Sequence, residues 1–143
     1  MNMIQSAKDQ VLALTTAAYQ KAAAAGLLPE GVTVTPSVEI PKDTANGDYT
    51  TTFCLAAAKA MKMNPRQVAQ ILTEQMDLTD TYFTSVELAG PGFLNFRLGS
   101  RWFGDTVACV EAEGADYGRN DTLTGKKYMV EFVSANPTGP MHM

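Results

Sequence analysis

Apolar residues recur at three- and four-residue steps from the start of the chain. Ile4, Ala7, Val11, Leu14, Ala18 and Ala22 fall on one face of a helix predicted over residues 4–25. Its alanine richness favours the helix intrinsically, Gly26 is a natural C-cap, and Pro29 lies just beyond. The period then changes to two. Val32, Val34, Val38 and Ile40 alternate over 32–40, predicting a half-buried strand interrupted at Pro36. Residues 41–48 are polar and rich in turn formers. Asp48 is placed to cap a second helix over about 49–62, with Phe53, Ala56, Ala57, Ala60 and Met61 as its apolar positions. Asn64-Pro65 restarts the chain as a third helix: Asn64 is a good N-cap, Pro65 a good first residue, and Gln67 stands at the capping-box position. Val68, Ile71, Leu72 and Met76 form its stripe.

Two further alternating runs, 82–88 and 93–98, flank Gly90-Pro91-Gly92 and predict a β-hairpin. In the second, Leu94, Phe96 and Leu98 share one face and Phe93, Asn95 and Arg97 the other. Ser100 is read as the cap of a helix over 101–113 that turns Trp102, Phe103, Val107 and Val110 inward and ends at Gly114. A polar connector over 115–127 marks a boundary, which divides the chain into residues 1–120 and 121–143. The unbroken apolar run at 127–133 has the character of a parallel strand buried on both faces, and the chain has no room to supply the neighbours it needs. Such a severed strand could pair with a second copy.

Composition narrows the function classes. The chain has 143 residues, enough for one domain with a real core, and 11 Lys+Arg against 15 Asp+Glu give a net charge of −4. A generally basic nucleic-acid binder is excluded, but a local basic patch is not. The single histidine, His142, rules out a histidine-based metal site or a Ser-His-Asp triad within the folded body. Cys54 and Cys109 form no C-x-x-C pair and read as buried free thiols in a reducing compartment. No apolar run approaches the ~20 residues that cross a bilayer, and the N-terminus has no signal-peptide pattern. These features predict a soluble, cytoplasmic protein.

Two constellations carry chemistry. The first is the C-terminal segment, where the apolar strand runs into Ser134-Ala135-Asn136-Pro137-Thr138-Gly139-Pro140-Met141-His142. Ligands of open parallel sheets bind beyond the carboxyl ends of strands, small residues admit a phosphate close to the backbone, and a histidine can donate to phosphate oxygens. A rigid Pro/Gly loop with one histidine is, on its own, more often just a loop. The second is the outward face of the hairpin. Phe93 can stack on an unpaired base, an interaction worth about 1–3 kcal/mol; Asn95 can read a base edge; Arg97 can meet a phosphate. Lys42 and Arg101 would extend that rim, with Lys59, Lys62 and Arg66 ranking behind them. The plainer alternative makes Phe93 a cover for a second core layer and Asn95 a turn cap.

Val130-Glu131-Phe132-Val133-Ser134-Ala135-Asn136-Pro137-Thr138-Gly139-Pro140-Met141-His142 resembles the entry to the HIGH signature of the arginyl-tRNA synthetases, class I aminoacyl-tRNA synthetases. Upstream, Val38-Glu39-Ile40-Pro41-Lys42-Asp43, Gly47-Asp48-Tyr49 and Ala89-Gly90-Pro91-Gly92-Phe93-Leu94-Asn95-Phe96 are similar to the N-terminal additional domain of the same family. The resemblance covers nearly the whole chain. It implies an enzyme that uses ATP, with magnesium, to ligate arginine to tRNA-Arg. By the same resemblance Glu131, Ser134 and Asn136 contact arginine, and His142 is the first histidine of the signature, stabilising ATP phosphates in the transition state. The additional domain of the family contacts the tRNA elbow and reads a D-loop base, for which the matching residues are Phe93 and Asn95.

The expectation is therefore an α+β fold, an antiparallel sheet of about four strands packed with about four helices, followed by the truncated first strand of a Rossmann-like catalytic domain. Residues 1–120 would recognise tRNA, and 121–143 would begin the catalytic domain. The rest of the signature and of the nucleotide fold lie outside this sequence, so the chain alone is expected to hold no cofactor and to be catalytically inactive; arginine-dependent ATP–pyrophosphate exchange by it would contradict that. The net charge of −4 implies weak, salt-sensitive RNA binding, micromolar or weaker. The rival expectation is a module that only braces the catalytic domain, without RNA affinity of its own.

Overall fold

The computed structural model describes residues 2–132, 138 and 139. Helix α1 spans Met3–Ala24, capped by Asn2, whose side chain accepts from the Gln5 amide. Met3, Ala7, Val11, Leu14, Thr15, Ala18 and Ala22 are buried along it, which is the predicted stripe except that Met3 replaces Ile4, about half exposed, and Thr15 is added. The Thr15 hydroxyl is accommodated in the core because it donates to the Val11 carbonyl one turn back, at 2.7 Å.

The expected strand over 32–40 shrinks to β1, Val38–Glu39. Val32 and Val34 still pack against the core, but the Tyr19 hydroxyl organises the segment before Pro36. It donates to the Pro29 carbonyl at 2.7 Å and accepts from the Val32 amide at 3.1 Å. A short 3-10 turn at Thr44–Asn46 precedes β2, Tyr49–Thr51. This corrects the helix expected over about 49–62: α2 runs only from Phe53 to Met61, behind an N-cap Thr52 that makes no side-chain cap bond. Asp48 caps nothing there. Its carboxylate accepts from the Leu98 amide at 2.8 Å, and its own amide donates to the Phe96 carbonyl at 2.8 Å, so the chain enters the sheet instead of starting a helix. β-branched Thr50 and Thr51 suit that strand.

Helix α3, Pro65–Gln75, begins as expected, with Asn64 accepting from the Arg66 amide. Strands β3, Phe83–Ala89, and β4, Phe93–Leu98, form the predicted hairpin, with an irregularity between Phe83 and Ser85 that keeps both Phe83 and Val86 on the inner face. The sheet is antiparallel throughout, in the order β1-β2-β4-β3. The α+β expectation holds: four strands and four helices.

Helices α1, α2 and α3 cover the inner face. There Tyr49, Phe83 and Phe96 stack edge to face, with centroids 6.0 and 5.4 Å apart, and Leu94, Phe96, Leu72 and Val68 are fully buried. Cys54 lies in this core and Cys109 is only partly covered; neither is in a disulfide.

Helix α4, Ser100–Glu113, departs from expectation. Gly99, not Ser100, is its N-cap, and none of its residues is buried. Trp102 half-buries itself and donates from Nε1 to the Met3 carbonyl at 3.2 Å. Phe103, Val107 and Val110 face solvent, at 54%, 59% and 39% exposure. An apolar stripe predicts that a face is to be covered, and the described residues leave these three side chains exposed. The strand expected at 127–133 does not form over its described part, 127–132, where Met129 and Phe132 are almost wholly exposed.

Two stability predictions follow from this packing. Gly47 has φ +89°, and a Cβ there would lie 2.7 Å from the Phe96 carbonyl oxygen. Gly47→Ala is expected to lower the unfolding free energy by at least the ~1–3 kcal/mol of the strained conformation, read by urea denaturation. Burial pushes the Cys54 thiol from 9.0 up to about 12. A raised folded pKa contributes stability below the unfolded value that is lost as pH rises through the window between the two. Between pH 9 and 12 the parent chain should therefore lose stability more steeply than Cys54→Ala, measured as Tm against pH.

Candidate nucleic-acid interface

The face of the sheet away from the helices carries the site. β4 is its axis, because strand alternation places Phe93, Asn95 and Arg97 outward while Leu94 and Phe96 are buried inward. The register sets their neighbours. Phe93 lies opposite Ala89, Asn95 lies between Thr50 of β2 and Glu87 of β3, and Arg97 lies opposite Ser85. Glu39 of β1 pairs with Thr50. One row across the sheet therefore reads Glu39, Thr50, Asn95, Glu87.

Above this row the 41–46 loop and the Gly90-Pro91 turn raise two walls. Together they enclose a cleft of about 410 Å³, lined by Pro41, Lys42, Asp43, Asn46 and Thr50 on one side and Ala89, Gly90, Pro91, Phe93 and Asn95 on the other. Each wall is tied to the scaffold. The Asp43 carboxylate accepts from the Ala45 amide at 2.9 Å and shapes the loop. Arg97 Nη2 donates to the Ala45 carbonyl at 2.7 Å and holds the loop against the sheet. On the far wall Arg66 donates to the Gly90 carbonyl. Gly92, with φ +146°, lets the turn pass Pro65 where a Cβ would lie 2.8 Å from the proline ring.

Asn95 is only 7% exposed, far more buried than a surface reader would be. Its carboxamide lines the cleft, and the Thr50 hydroxyl beside it is buried without a partner among the described residues. The cleft thus has an aromatic edge in Phe93, a polar floor with open hydrogen-bonding capacity, and one lysine, Lys42, on its rim.

The residues expected at the site are only partly brought together. Phe93, Asn95 and Lys42 line one cleft. Arg97 shares their face, but its guanidinium is committed to the loop. Arg101 lies past the other end of β4. It is ion-paired with Asp105 at 3.8 Å, an exposed pair of small energetic value, and sits 5.8 Å over the Tyr82 ring. Glu131 lies in exposed chain without regular structure. Ser134, Asn136 and His142 fall outside the described residues. Thr50, Asn46 and Pro41 are cleft residues that the sequence reading missed. A strand assignment at 49–51 would have put Thr50 on the outward face beside Asn95. No group of histidine, cysteine, aspartate or glutamate side chains among the described residues could hold a metal ion.

A family model described as the arginyl tRNA synthetase N terminal domain matches residues 10–98, which include all four strands and α2, α3 and most of α1. The chain belongs to that family. It is 43% identical over 142 residues to an arginine–tRNA ligase of Acetivibrio thermocellus and 42% identical over 142 residues to one of Caldanaerobacter subterraneus subsp. tengcongensis, covering 99% of this chain each time. It spans 25% of the length of those relatives. The arginyl-tRNA synthetase of Plasmodium falciparum shares the fold, with a TM-score of 0.55 over 70% of this chain and 17% of its own, at 11% identity. Both the cleft and its tethering arginine thus lie within the segment that defines the family, whereas α4 and the chain beyond it lie past it.

Arg97 is the residue whose assigned chemistry the geometry changes. Arg97→Ala should release the 43–46 loop, visible as faster amide exchange of Asn46 and Gly47, with a stability cost of about 1–2 kcal/mol for the lost charge-assisted bond. Lys at this position should restore the tie only in part.

Proposed function

We propose that this domain recognises tRNA-Arg for an arginine–tRNA ligase, which uses ATP and magnesium to join arginine to the tRNA in the cytoplasm. In this reading an unpaired base of the D-loop, at the tRNA elbow, enters the cleft between Phe93, Asn95 and the 41–46 loop. Phe93 stacks on the base, Asn95 bonds its edge, and Lys42 meets the backbone phosphate. Arg97 serves the contact by holding the loop, and Arg101 has no part in it. For the longer protein the reading retains Glu131, Ser134 and Asn136 as arginine contacts and His142 as the ATP-phosphate contact.

The observation that supports this best is the polar floor. The Asn95 amide lines the cleft beside the buried, unpartnered Thr50 hydroxyl, so a base edge entering there meets polar groups able to bond it. A base in such a cleft is also selected by what it can pair. The net charge of −4 and a single lysine on the rim leave little non-specific attraction, so the contact should be weak alone and gain from the other domains through effective concentration. A bracing role has its own support in the uncovered apolar face of α4, and the two roles use different surfaces.

Titration of the chain with tRNA-Arg at two salt concentrations tests the proposal. Binding should weaken with salt, and Phe93→Ala or Asn95→Ala should reduce it about tenfold or more, the equivalent of ~1–3 kcal/mol of stacking or base contact. Binding that neither substitution changes would leave only the bracing role.

A further inference from the structure

The Thr50 hydroxyl oxygen is buried and has no hydrogen-bond partner among the described residues. It stands directly across the ladder from Asn95, in the middle of the polar row. An orphaned buried hydroxyl is costly, and valine, the same shape without the hydroxyl, has the higher strand propensity. Packing alone therefore does not account for threonine at this position.

What the hydroxyl can do is set by its neighbours. Directly opposed residues of an antiparallel pair hold their Cβ atoms about 4.5–5.5 Å apart, so a rotation of the Asn95 carboxamide brings it within reach of Thr50. On its other flank Asn95 faces Glu87, which offers only acceptor oxygens when ionised. The Glu87 side favours the amide nitrogen, and the Thr50 side then receives the amide oxygen, to which a hydroxyl can donate. An amide held in that sense presents one N–H and one oxygen lone pair to the cleft in fixed order. An amide free to turn over presents them in either order and discriminates less between base edges.

We propose that Thr50 is a positioning residue that determines base specificity, by fixing the orientation in which the Asn95 carboxamide meets an unpaired RNA base. The proposal rests on the reading of the cleft as the tRNA site and adds to it the residue that sets its selectivity.

The test compares the chain with its Thr50→Val, Thr50→Ser and Asn95→Ala variants and the Thr50→Val/Asn95→Ala double variant. Each is titrated with tRNA-Arg and with transcripts carrying single D-loop base changes, and each is melted. Thr50→Val should keep or raise the Tm, since it removes an orphaned hydroxyl. It should weaken binding of the unaltered tRNA about two- to tenfold, as expected for one hydrogen bond, and shrink the discrimination between transcripts by the same factor. Thr50→Ser should restore discrimination, and Thr50→Val should add nothing in the Asn95→Ala background. Loss of binding in Asn95→Ala with unchanged discrimination in Thr50→Val would overturn the role of Thr50 and leave the cleft as the tRNA site. Unchanged binding in Asn95→Ala would overturn the cleft reading and this inference with it. A lowered Tm in Thr50→Val would show that the hydroxyl serves the fold, and would also overturn the inference.

Discussion

The ladders that hold β4 between β2 and β3 set the geometry of everything else in this domain. They make β4 a central strand with two unlike faces. On one, Leu94 and Phe96 are wholly buried against helices and aromatic rings. On the other, Asn95 is almost as deeply covered, but by a loop and a turn instead of a helix layer. A one-residue slip in register would exchange the two faces, so the core that stabilises the sheet also fixes where the polar row points. Asp48 reinforces that register from the side, accepting from the Leu98 amide while its own amide donates to Phe96.

The cleft exists because its walls are tied down by groups that might otherwise be assigned to ligand contact. Arg97 spends a charge-assisted bond on a loop carbonyl, and Arg66 bonds the opposing turn. Glycines at 47 and 92 permit two close backbone approaches that any side chain would prevent. The floor, by contrast, pairs the cleft-lining Asn95 with a Thr50 hydroxyl that is buried without a partner among the described residues. Tethered walls around a floor that holds a buried, unpartnered hydroxyl are a preorganised arrangement.

How far the sequence could be read depended on where the local signal and the tertiary environment agreed. The long period of α1, the Asn64-Pro65 start of α3 and the glycine-proline hairpin were legible, because each is decided within a few residues. The outward placement of Phe93 and Asn95 followed from alternation alone. The segment at 49–51 was misread because a potential cap at Asp48 before an alanine-rich stretch looks like a helix start, and only pairing with β4, more than forty residues away, makes it a strand. That error hid Thr50. The inward assignment of Phe103, Val107 and Val110 also failed, since periodicity reports a face that needs covering and not whether the chain supplies the cover. The same holds for 127–132.

The most direct measurement of the central claim is an NMR titration of isotope-labelled chain with tRNA-Arg, following the Asn95 side-chain amide together with the backbone. The account predicts that the Asn95 side-chain signals shift first and furthest, accompanied by Thr50, Phe93 and the 41–46 loop, with α4 unaffected. Shifts confined to α4 or the helical face, with the Asn95 side chain unmoved, would contradict it.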